Sequence, residues 1–133
     1  MNPIFQKHHI KSIATDNFVM NPVELKDYID FDVKRIYYIT EPKKDAGGHC
    51  HKQEKELFIL VQGSCTAQID RGKGLEDVFM KANDAIYVDA YVWHYFKNLS
   101  SNAILLALSS TNYNPSRSDY IEDYEEYKKV VQQ

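Results

Sequence analysis

Two histidines separated by one residue, His49 and His51, are the side chains in this sequence best suited to chemistry. They follow the pair Gly47-Gly48 and precede residues 57–61, an apolar run with the composition of a β-strand. Side chains two residues apart in a strand point to the same face, so both imidazoles should face one way. Paired imidazoles either bind a metal ion or transfer protons. The rest of the sequence has to distinguish these two uses.

Short strands separated by turns account for most of the chain after residue 32. β-Branched and aromatic residues predict strands at 33–39, 49–61 (one strand or two), 64–70, 76–80, 85–88, 93–97 and 103–108, with a loop at 41–48. Residues 71–74, Arg-Gly-Lys-Gly, are typical of a hairpin turn. Seven or more short strands with glycine turns indicate a β-sandwich or a small barrel. With a histidine pair on an inner strand, the all-β jelly roll of the cupins, or double-stranded β-helix, fits best.

The two ends of the chain differ from this strand pattern. Aromatic and apolar residues recur at helical spacing near the C-terminus, which predicts an α-helix over residues 118–131 with Ser118 or Asp119 as its cap. Residues 23–28 predict one turn of helix. We expect residues 1–133 to form a single domain, and we consider residues 1–32 a candidate for a dimer interface.

Composition and charge exclude several classes of function. The chain has 133 residues, 44% of them hydrophobic and 26% charged, which is typical of a folded globular protein. A net charge of -3 argues against a broad nucleic-acid surface, and no apolar run approaches the roughly 20 residues that span a bilayer. The N-terminus lacks the pattern of a secretory signal, so we expect a cytoplasmic protein whose Cys50 and Cys65 are free thiols.

The spacing around the histidine pair resembles the metal sites of cupins. Those sites have His-x-His, a glutamate five residues after the second histidine and a glycine seven residues later, which His49, His51, Glu56 and Gly63 match. The later motif, a histidine with an asparagine four residues on, is matched by the pair His94 and Asn98, although Asp89 and Tyr91 replace the expected proline and glycine. Three imidazoles and a carboxylate would suit Fe, Mn, Ni, Cu or Zn. A metal-dependent cupin enzyme with ligands His49, His51, Glu56 and His94 is therefore one hypothesis.

A second resemblance extends from residue 33 to the C-terminus. It rests on the strings KRIYYI (34–39), GHCHK (48–52), GSC (63–65), AIYV (85–88), VWH (92–94), LALSS (106–110) and DYIEDY (119–124). In this order and at these intervals they resemble the dTDP-4-keto-6-deoxyhexose 3,4-ketoisomerases, also called WxcM-like. The resemblance implies a metal-independent cupin homodimer without a cofactor. Its substrate would be dTDP-4-keto-6-deoxy-glucose and its product a dTDP-3-keto-6-deoxyhexose, which is used in deoxyamino-sugar biosynthesis for surface glycans such as lipopolysaccharide.

Three departures from that family pattern are visible. The usual Asp-x-Arg-Gly string near the N-terminus is absent, and the nearest stretch is residues 14–18. Ala46 stands where an arginine is common, and Glu56 stands where a glutamine is usual. Together the three changes affect the expected phosphate contacts and product stereochemistry. The acid at position 56 keeps the metal hypothesis open.

The implied reaction assigns roles to the catalytic candidates. A ketone at C4 acidifies the proton on C3, so a base can remove it to give an enediol or enediolate, and reprotonation at C4 leaves the ketone at C3. A neutral histidine is a suitable base near pH 7. We assign His51 as this base, His49 as a relay or orienting group at the oxygens, and Tyr37 as a donor to the carbonyl or enediolate oxygen.

The remaining candidates are predicted to bind the substrate. Arg35 faces the same side as Tyr37 and has the planar fork that suits a pyrophosphate. Glu56 is expected to face the histidines and bind sugar hydroxyls, and His94 is expected to join the pocket. Lys52 and Trp93 are weaker candidates, for the substrate charge and for stacking. A cupin that binds a sugar without catalysis is a further alternative.

Overall fold

Two five-stranded antiparallel sheets make up most of the computed structural model, which describes residues 1–132. In chain order the strands are β1 (Phe5–His9), β2 (Ile13–Ala14), β3 (Val19–Met20), β4 (Arg35–Ile39), β5 (Ala46–His51), β6 (Glu56–Gln62), β7 (Ser64–Asp70), β8 (Leu75–Lys81), β9 (Asp84–Val88), β10 (Trp93–Lys97), β11 (Ile104–Ser109) and β12 (Tyr120–Ile121). One sheet has the order β1-β9-β6-β11-β4 and the other β12-β5-β10-β7-β8, while β2 and β3 form a separate hairpin.

The hydrophobic core lies between the two large sheets. Side chains that alternate along their strands pack together from both sheets, including Phe58, Leu60, Ala67, Ile69, Met80, Ile86, Phe96 and Leu105. Their removal from water is the main force that holds the sheets face to face. The predicted all-β jelly roll is confirmed.

The histidine-bearing segment forms two strands rather than one. Strand β5 starts at Ala46, so it includes residues that were predicted to lie in a loop. Gly47 and Gly48 have φ of +89° and +88°, and the pairing of β5 with β10 shifts register beside them. A Cβ atom at position 47 would lie 2.9 Å from the carbonyl oxygen of His94. Glycine is therefore required at this position because the backbone of β10 approaches it closely.

The C-terminal helix is shorter than predicted. Helix α1 spans Tyr124–Val131, and residues 120–121 are instead a strand paired with β5. Asp123 is the N-cap, since its side chain accepts a hydrogen bond from the Glu126 amide. The predicted C-terminal helix is thus confirmed, but its start at residue 118 and its cap at Ser118 or Asp119 were wrong. Residues 120 and 121 fit the helical spacing, but the free edge of β5 offers them backbone partners.

The N-terminal region supports the first sheet. Strand β1 pairs with β9, and a single 3-10 turn at Leu25–Asp27 occupies the place where one helical turn was predicted. Apolar residues around this turn pack on the outer side of that sheet. Cys50 and Cys65 are buried free thiols, as expected. No helix within residues 1–132 has the length and hydrophobicity required to span a bilayer.

Candidate active site

Three histidines meet at one end of the space between the sheets. His49 and His51 lie on β5, and the register of the adjacent strand β10 places His94 opposite His49. Ring centroids are 4.9 Å apart for His49 and His51, 4.8 Å for His49 and His94, and 5.8 Å for His51 and His94. His51 and His94 are buried. The structure thus brings together the three imidazoles that the sequence predicted to share a pocket.

Three carboxylates surround the ring of His51. Its Nε2 atom lies 3.1 Å from Glu54 Oε2 and 3.3 Å from Glu56 Oε1, and its Nδ1 atom lies 3.3 Å from Asp119 Oδ2. Glu54 and Glu56 are almost fully buried. Buried carboxylates are costly unless they face positive charge or hydrogen-bond donors, so this arrangement favours a proton on His51.

Glu56 also links the histidines to the first sheet. Its Oε2 atom accepts hydrogen bonds from the Tyr37 hydroxyl at 2.8 Å and from the Ser109 hydroxyl at 3.0 Å. Tyr37 and Arg35 share one face of β4, and the Arg35 guanidinium lies 4.7 Å from the centre of the Tyr37 ring and 5.5 Å from that of Tyr113. The predicted common face of Arg35 and Tyr37 and the inward position of Glu56 are thus seen in the structure.

The carboxylates move the pKa of His51 upward. Burial alone lowers this pKa, but Glu56, Glu54 and Asp119 together outweigh it, so the pKa lies above its usual 6.5. Burial would raise the pKa of Glu56, yet the nearby His51 and His94 and the hydrogen bond from Tyr37 lower it to about 2. At neutral pH this pair is therefore an anion facing an imidazole that holds its proton more tightly than usual.

The other two imidazoles are neutral at physiological pH. Burial lowers the pKa of His49 to about 2, with further lowering by His94 and His51, and burial lowers the pKa of His94 to about 4. His94 Nδ1 lies 3.1 Å from the carbonyl oxygen of Val92, and since a carbonyl only accepts, the proton is assigned to Nδ1. The Nε2 lone pair of His94 then faces the cluster. The site combines two imidazoles of lowered pKa with one, His51, whose pKa is raised.

Two of the predicted binding residues lie outside this cluster. The side chain of Trp93 is on the opposite face of β10, where its ring is 5.2 Å from that of Tyr124 and 5.5 Å from that of Tyr127. It is covered by α1, so the prediction that Trp93 stacks on the ligand is corrected. Lys52 is exposed, and its backbone amide rather than its side chain contacts the site by donating to the Asp119 carbonyl.

Sequence reasoning missed three residues of the site. These are Glu54, Asp119 and Tyr120, whose ring lies 4.9 Å from that of His49 and 4.3 Å from that of His51. Glu54 was overlooked because it lies in residues 52–55, Lys-Gln-Glu-Lys, whose polar and charged side chains look like an exposed turn. Asp119 and Tyr120 had been placed in the helix, and only the pairing of β12 with β5 brings them to the histidines.

A small polar cavity opens beside His51. Its volume is about 80 Å³, enough for a few water molecules or one polar group of a ligand. The lining is polar and aromatic: His51, Gln53, Glu54, Thr111, Asn112, Tyr113, Asn114, Asp119 and Tyr120. The hydroxyl of Thr111 donates to Glu54 Oε1, which fixes that carboxylate at the wall of the cavity.

The same side chains fit the ligand chemistry of a divalent cation. Two overlapping sets of three place potential ligand atoms within 4.8 Å of one another: His49, His51 and His94, and His51, Glu54 and Glu56. Within the described residues, Glu56 Oε1 and His94 Nε2 are buried without a hydrogen-bond partner. A cation bound here would act as a Lewis acid toward a sugar oxygen. These nitrogen and oxygen donors are therefore compatible with the metal hypothesis.

Comparison with known proteins gives consistent relatives over almost the whole chain. A TDP-4-oxo-6-deoxy-alpha-D-glucose-3,4-oxoisomerase of Aneurinibacillus thermoaerophilus is 29% identical over 126 residues, which cover 92% of this chain and 89% of that protein. The crystal structure of a 3,4-ketoisomerase from Helicobacter canadensis superposes with a TM-score of 0.86 at 27% identity and covers 97% of this chain and 98% of its own.

A third relative was solved with a sugar nucleotide. A histidine-to-asparagine mutant of the 3,4-ketoisomerase QdtA from Thermoanaerobacterium thermosaccharolyticum, in complex with TDP-4-keto-6-deoxyglucose, has a TM-score of 0.84 at 27% identity and covers 96% of this chain and 94% of its own. The family model described as FdtA, "WxcM-like, C-terminal", matches residues 5–132. Because that match spans nearly the full chain, this protein belongs to the WxcM-like, C-terminal family.

Proposed function

We propose that this protein is a nucleotide-sugar 3,4-ketoisomerase that converts TDP-4-keto-6-deoxyglucose to a TDP-3-keto-6-deoxyhexose. The observation that carries the proposal is the cluster of His49, His51 and Tyr37 around one buried carboxylate, Glu56. It brings to one site two imidazoles whose pKa values are shifted in opposite directions, and a phenol bound to the same carboxylate as His51. Moving a keto group between adjacent carbons needs these groups, since it consists of proton transfers at two carbons and two oxygens.

His51 is the proposed carrier of the carbon-bound proton. In its unprotonated form it takes the proton from C3, the C4 carbonyl becomes an enediolate oxygen, and the imidazolium then returns a proton to C4. The oxygen on C3 loses its hydroxyl proton as the C3 carbonyl forms, and the C4 oxygen gains one. Because the pKa of His51 is raised, less of it is unprotonated at low pH, which slows the removal of the C3 proton.

His49 and Tyr37 are proposed to handle the oxygen-bound protons. His49 stays neutral, so it can accept a proton from one sugar oxygen and donate to the other. Tyr37 is hydrogen-bonded to Glu56, and burial with that anion raises its pKa, which keeps the phenol protonated as a donor. Both groups lie on rigid strands, which favours a fixed geometry toward the sugar.

Arg35 is the proposed ligand of the pyrophosphate. Its guanidinium is half-buried between two tyrosine rings, and its buried Nε atom has no hydrogen-bond partner among residues 1–132. Glu56 and His94 are proposed to contact sugar hydroxyls, and the exposed Lys52 remains a candidate for the outer part of the nucleotide. An arginine held in this way suits the bidentate geometry of a phosphate.

We also propose that the protein is a cytoplasmic homodimer. The β2–β3 hairpin exposes Ile13, Phe18, Val19 and Met20, each between 46% and 60% accessible, in the region suggested as an interface. Clustered exposed apolar residues favour association. Sedimentation equilibrium tests the oligomeric state. A monomeric wild-type protein would contradict the dimer, and a dimer that persists in Phe18→Glu would contradict this interface.

The direct test is incubation with TDP-4-keto-6-deoxyglucose followed by proton NMR of the sugar. We expect the wild-type protein to form the 3-keto sugar and to exchange the C3 proton in heavy water, while His51→Asn keeps its fold and loses nearly all turnover. His8→Asn, in β1 far along the chain from the site, is the matched control and should be fully active. Full activity of His51→Asn would remove His51 from the mechanism.

The two alternatives give different results in the same assay. Turnover that disappears with a chelator and returns with Fe, Mn or Ni would favour the metal-dependent enzyme, whereas unchanged turnover supports the proton-transfer mechanism. Binding of the keto sugar without turnover and without exchange at C3 would indicate a non-catalytic sugar-binding cupin.

A further inference from the structure

Asp119 holds the turn that follows the histidine pair. The register of β12 against β5 pairs Tyr120 with His51, which brings Asp119 beside residues 52–54 although it lies far along the chain. Its backbone carbonyl accepts a hydrogen bond from the Lys52 amide at 2.8 Å. Its side chain accepts from the Gln53 amide at 2.8 Å and from the Glu54 amide at 3.3 Å. Asp119 therefore fastens the backbone that carries Glu54.

The same side chain faces the ring of His51. Asp119 Oδ2 lies 3.3 Å from His51 Nδ1, while the other two carboxylates, those of Glu54 and Glu56, face Nε2. Nδ1 is buried and has no hydrogen-bond partner within residues 1–132, so its contact with Asp119 is an electrostatic one at ion-pair distance. A half-turn of the ring about its Cβ–Cγ bond would exchange each nitrogen with a carbon atom. Cδ2 would then face Asp119, and Cε1 would face Glu54 and Glu56. The ring is thus held from two sides, and among residues 1–132 Asp119 is the only carboxylate on the Nδ1 side.

We propose that Asp119 is a positioning residue for the reaction: it fixes the ring of His51 and the turn that carries Glu54, without contacting the reacting atoms itself. This proposal rests on the proposed function for its kinetic consequences. The contacts with the Gln53 and Glu54 amides require only acceptor oxygens, whereas the electrostatic contact with Nδ1 requires the negative charge. The two contributions can therefore be separated by substitution.

Asp119→Asn removes the charge but keeps the size of the side chain and one acceptor oxygen, which can hold the shorter, 2.8 Å hydrogen bond from the Gln53 amide while the 3.3 Å contact with the Glu54 amide is lost. We expect kcat to fall about 10- to 100-fold, the loss typical of a displaced catalytic group, with KM within about 3-fold of wild type. Asp119→Glu restores the charge and should recover part of kcat, whereas Asp119→Ala should not. The matched control is Asp123→Asn, the same chemical change in the same segment, where an exposed side chain caps α1. Its kcat should equal that of wild type.

A spectroscopic measurement tests the contact independently of turnover. In the protein with ¹⁵N-labelled histidine, the Nδ1 resonance of His51, assigned by its absence in His51→Asn, should shift in Asp119→Asn and stay in place in Asp123→Asn. An unchanged resonance, or a kcat for Asp119→Asn equal to that of wild type, would overturn the proposal. If the wild-type protein does not convert the keto sugar, the proposed function fails, but the resonance still decides whether Asp119 holds the His51 ring.

Discussion

Replacing Glu56 with glutamine should cost stability at neutral pH and much less in acid. Glu56 is 1% exposed, and its contacts with His51 and Tyr37 lower its pKa from 4.5 to about 2 despite burial. That difference corresponds to about 3 kcal/mol of folding free energy. Because the folded pKa is depressed, this stabilisation is complete above pH 4.5 and is lost as the pH falls through about 2. Glutamine keeps the volume and an acceptor for Tyr37, so the loss reports mainly the charge.

The assay is urea unfolding followed by fluorescence of Trp93, the only tryptophan in the sequence, which packs beneath α1. We expect Glu56→Gln to lower the free energy of unfolding by about 3 kcal/mol at pH 7, and by progressively less toward pH 2. Glu76→Gln, which removes a partly exposed carboxylate paired with Arg71 at 3.4 Å, is the control and should change stability by less than about 1 kcal/mol.

Two results would refute this reasoning. One is a Glu56→Gln protein as stable as wild type at pH 7, and the other is a destabilisation that does not change between pH 7 and pH 2. In active protein the substitution should also move the pH profile of kcat/KM to lower pH. In the proposed mechanism His51 acts in its unprotonated form, and removing the neighbouring anion lowers its pKa.

Three other substitutions separate chemistry, binding and folding. Tyr37→Phe removes the 2.8 Å hydrogen bond to Glu56 and the proposed oxygen donor, so kcat should fall about 100-fold, within the range for one acid–base group. Arg35→Lys loses the planar fork, so KM for the TDP sugar should rise about 10-fold while kcat stays near wild type. Tyr127→Phe removes the single hydroxyl proton shared by the carbonyls of Asp70 and Tyr91, each 2.7 Å from the phenol oxygen, which should cost about 1 to 3 kcal/mol and leave kcat unchanged.

Each of these predictions has a result that contradicts it. In steady-state kinetics, full kcat in Tyr37→Phe would contradict the role of Tyr37. A change in kcat without a change in KM in Arg35→Lys would contradict the role of Arg35. For Tyr127, urea unfolding equal to that of wild type would show that the two carbonyls find other donors. Tyr38→Phe, on the exposed face of β4, is a suitable control for Tyr37→Phe.

Local patterns were sufficient to predict the strands and much of the site. Alternation along β4 put Arg35 and Tyr37 on one face, and the His-x-His spacing put two imidazoles together, because side chains repeat every second residue in any strand. The role of Gly47 was harder to predict. Its positive φ could be expected from residue type, but the neighbour that leaves no room for a side chain is the backbone of β10, 47 positions later at His94.

The sequence by itself determined the all-β class, the histidine pair on one strand face, the inward glutamate and the two free thiols, since each follows from residue type and short-range spacing. The tertiary structure alone decided that residues 120–121 form a strand on the edge of β5 and not a helix, that α1 covers Trp93, and that Glu54 and Asp119 flank His51. The physical reason is that an unpaired strand edge forms backbone hydrogen bonds, and a buried imidazole forms electrostatic contacts, with whichever groups lie close to it in space. Such partners lie far along the chain, where neither propensity nor spacing can identify them.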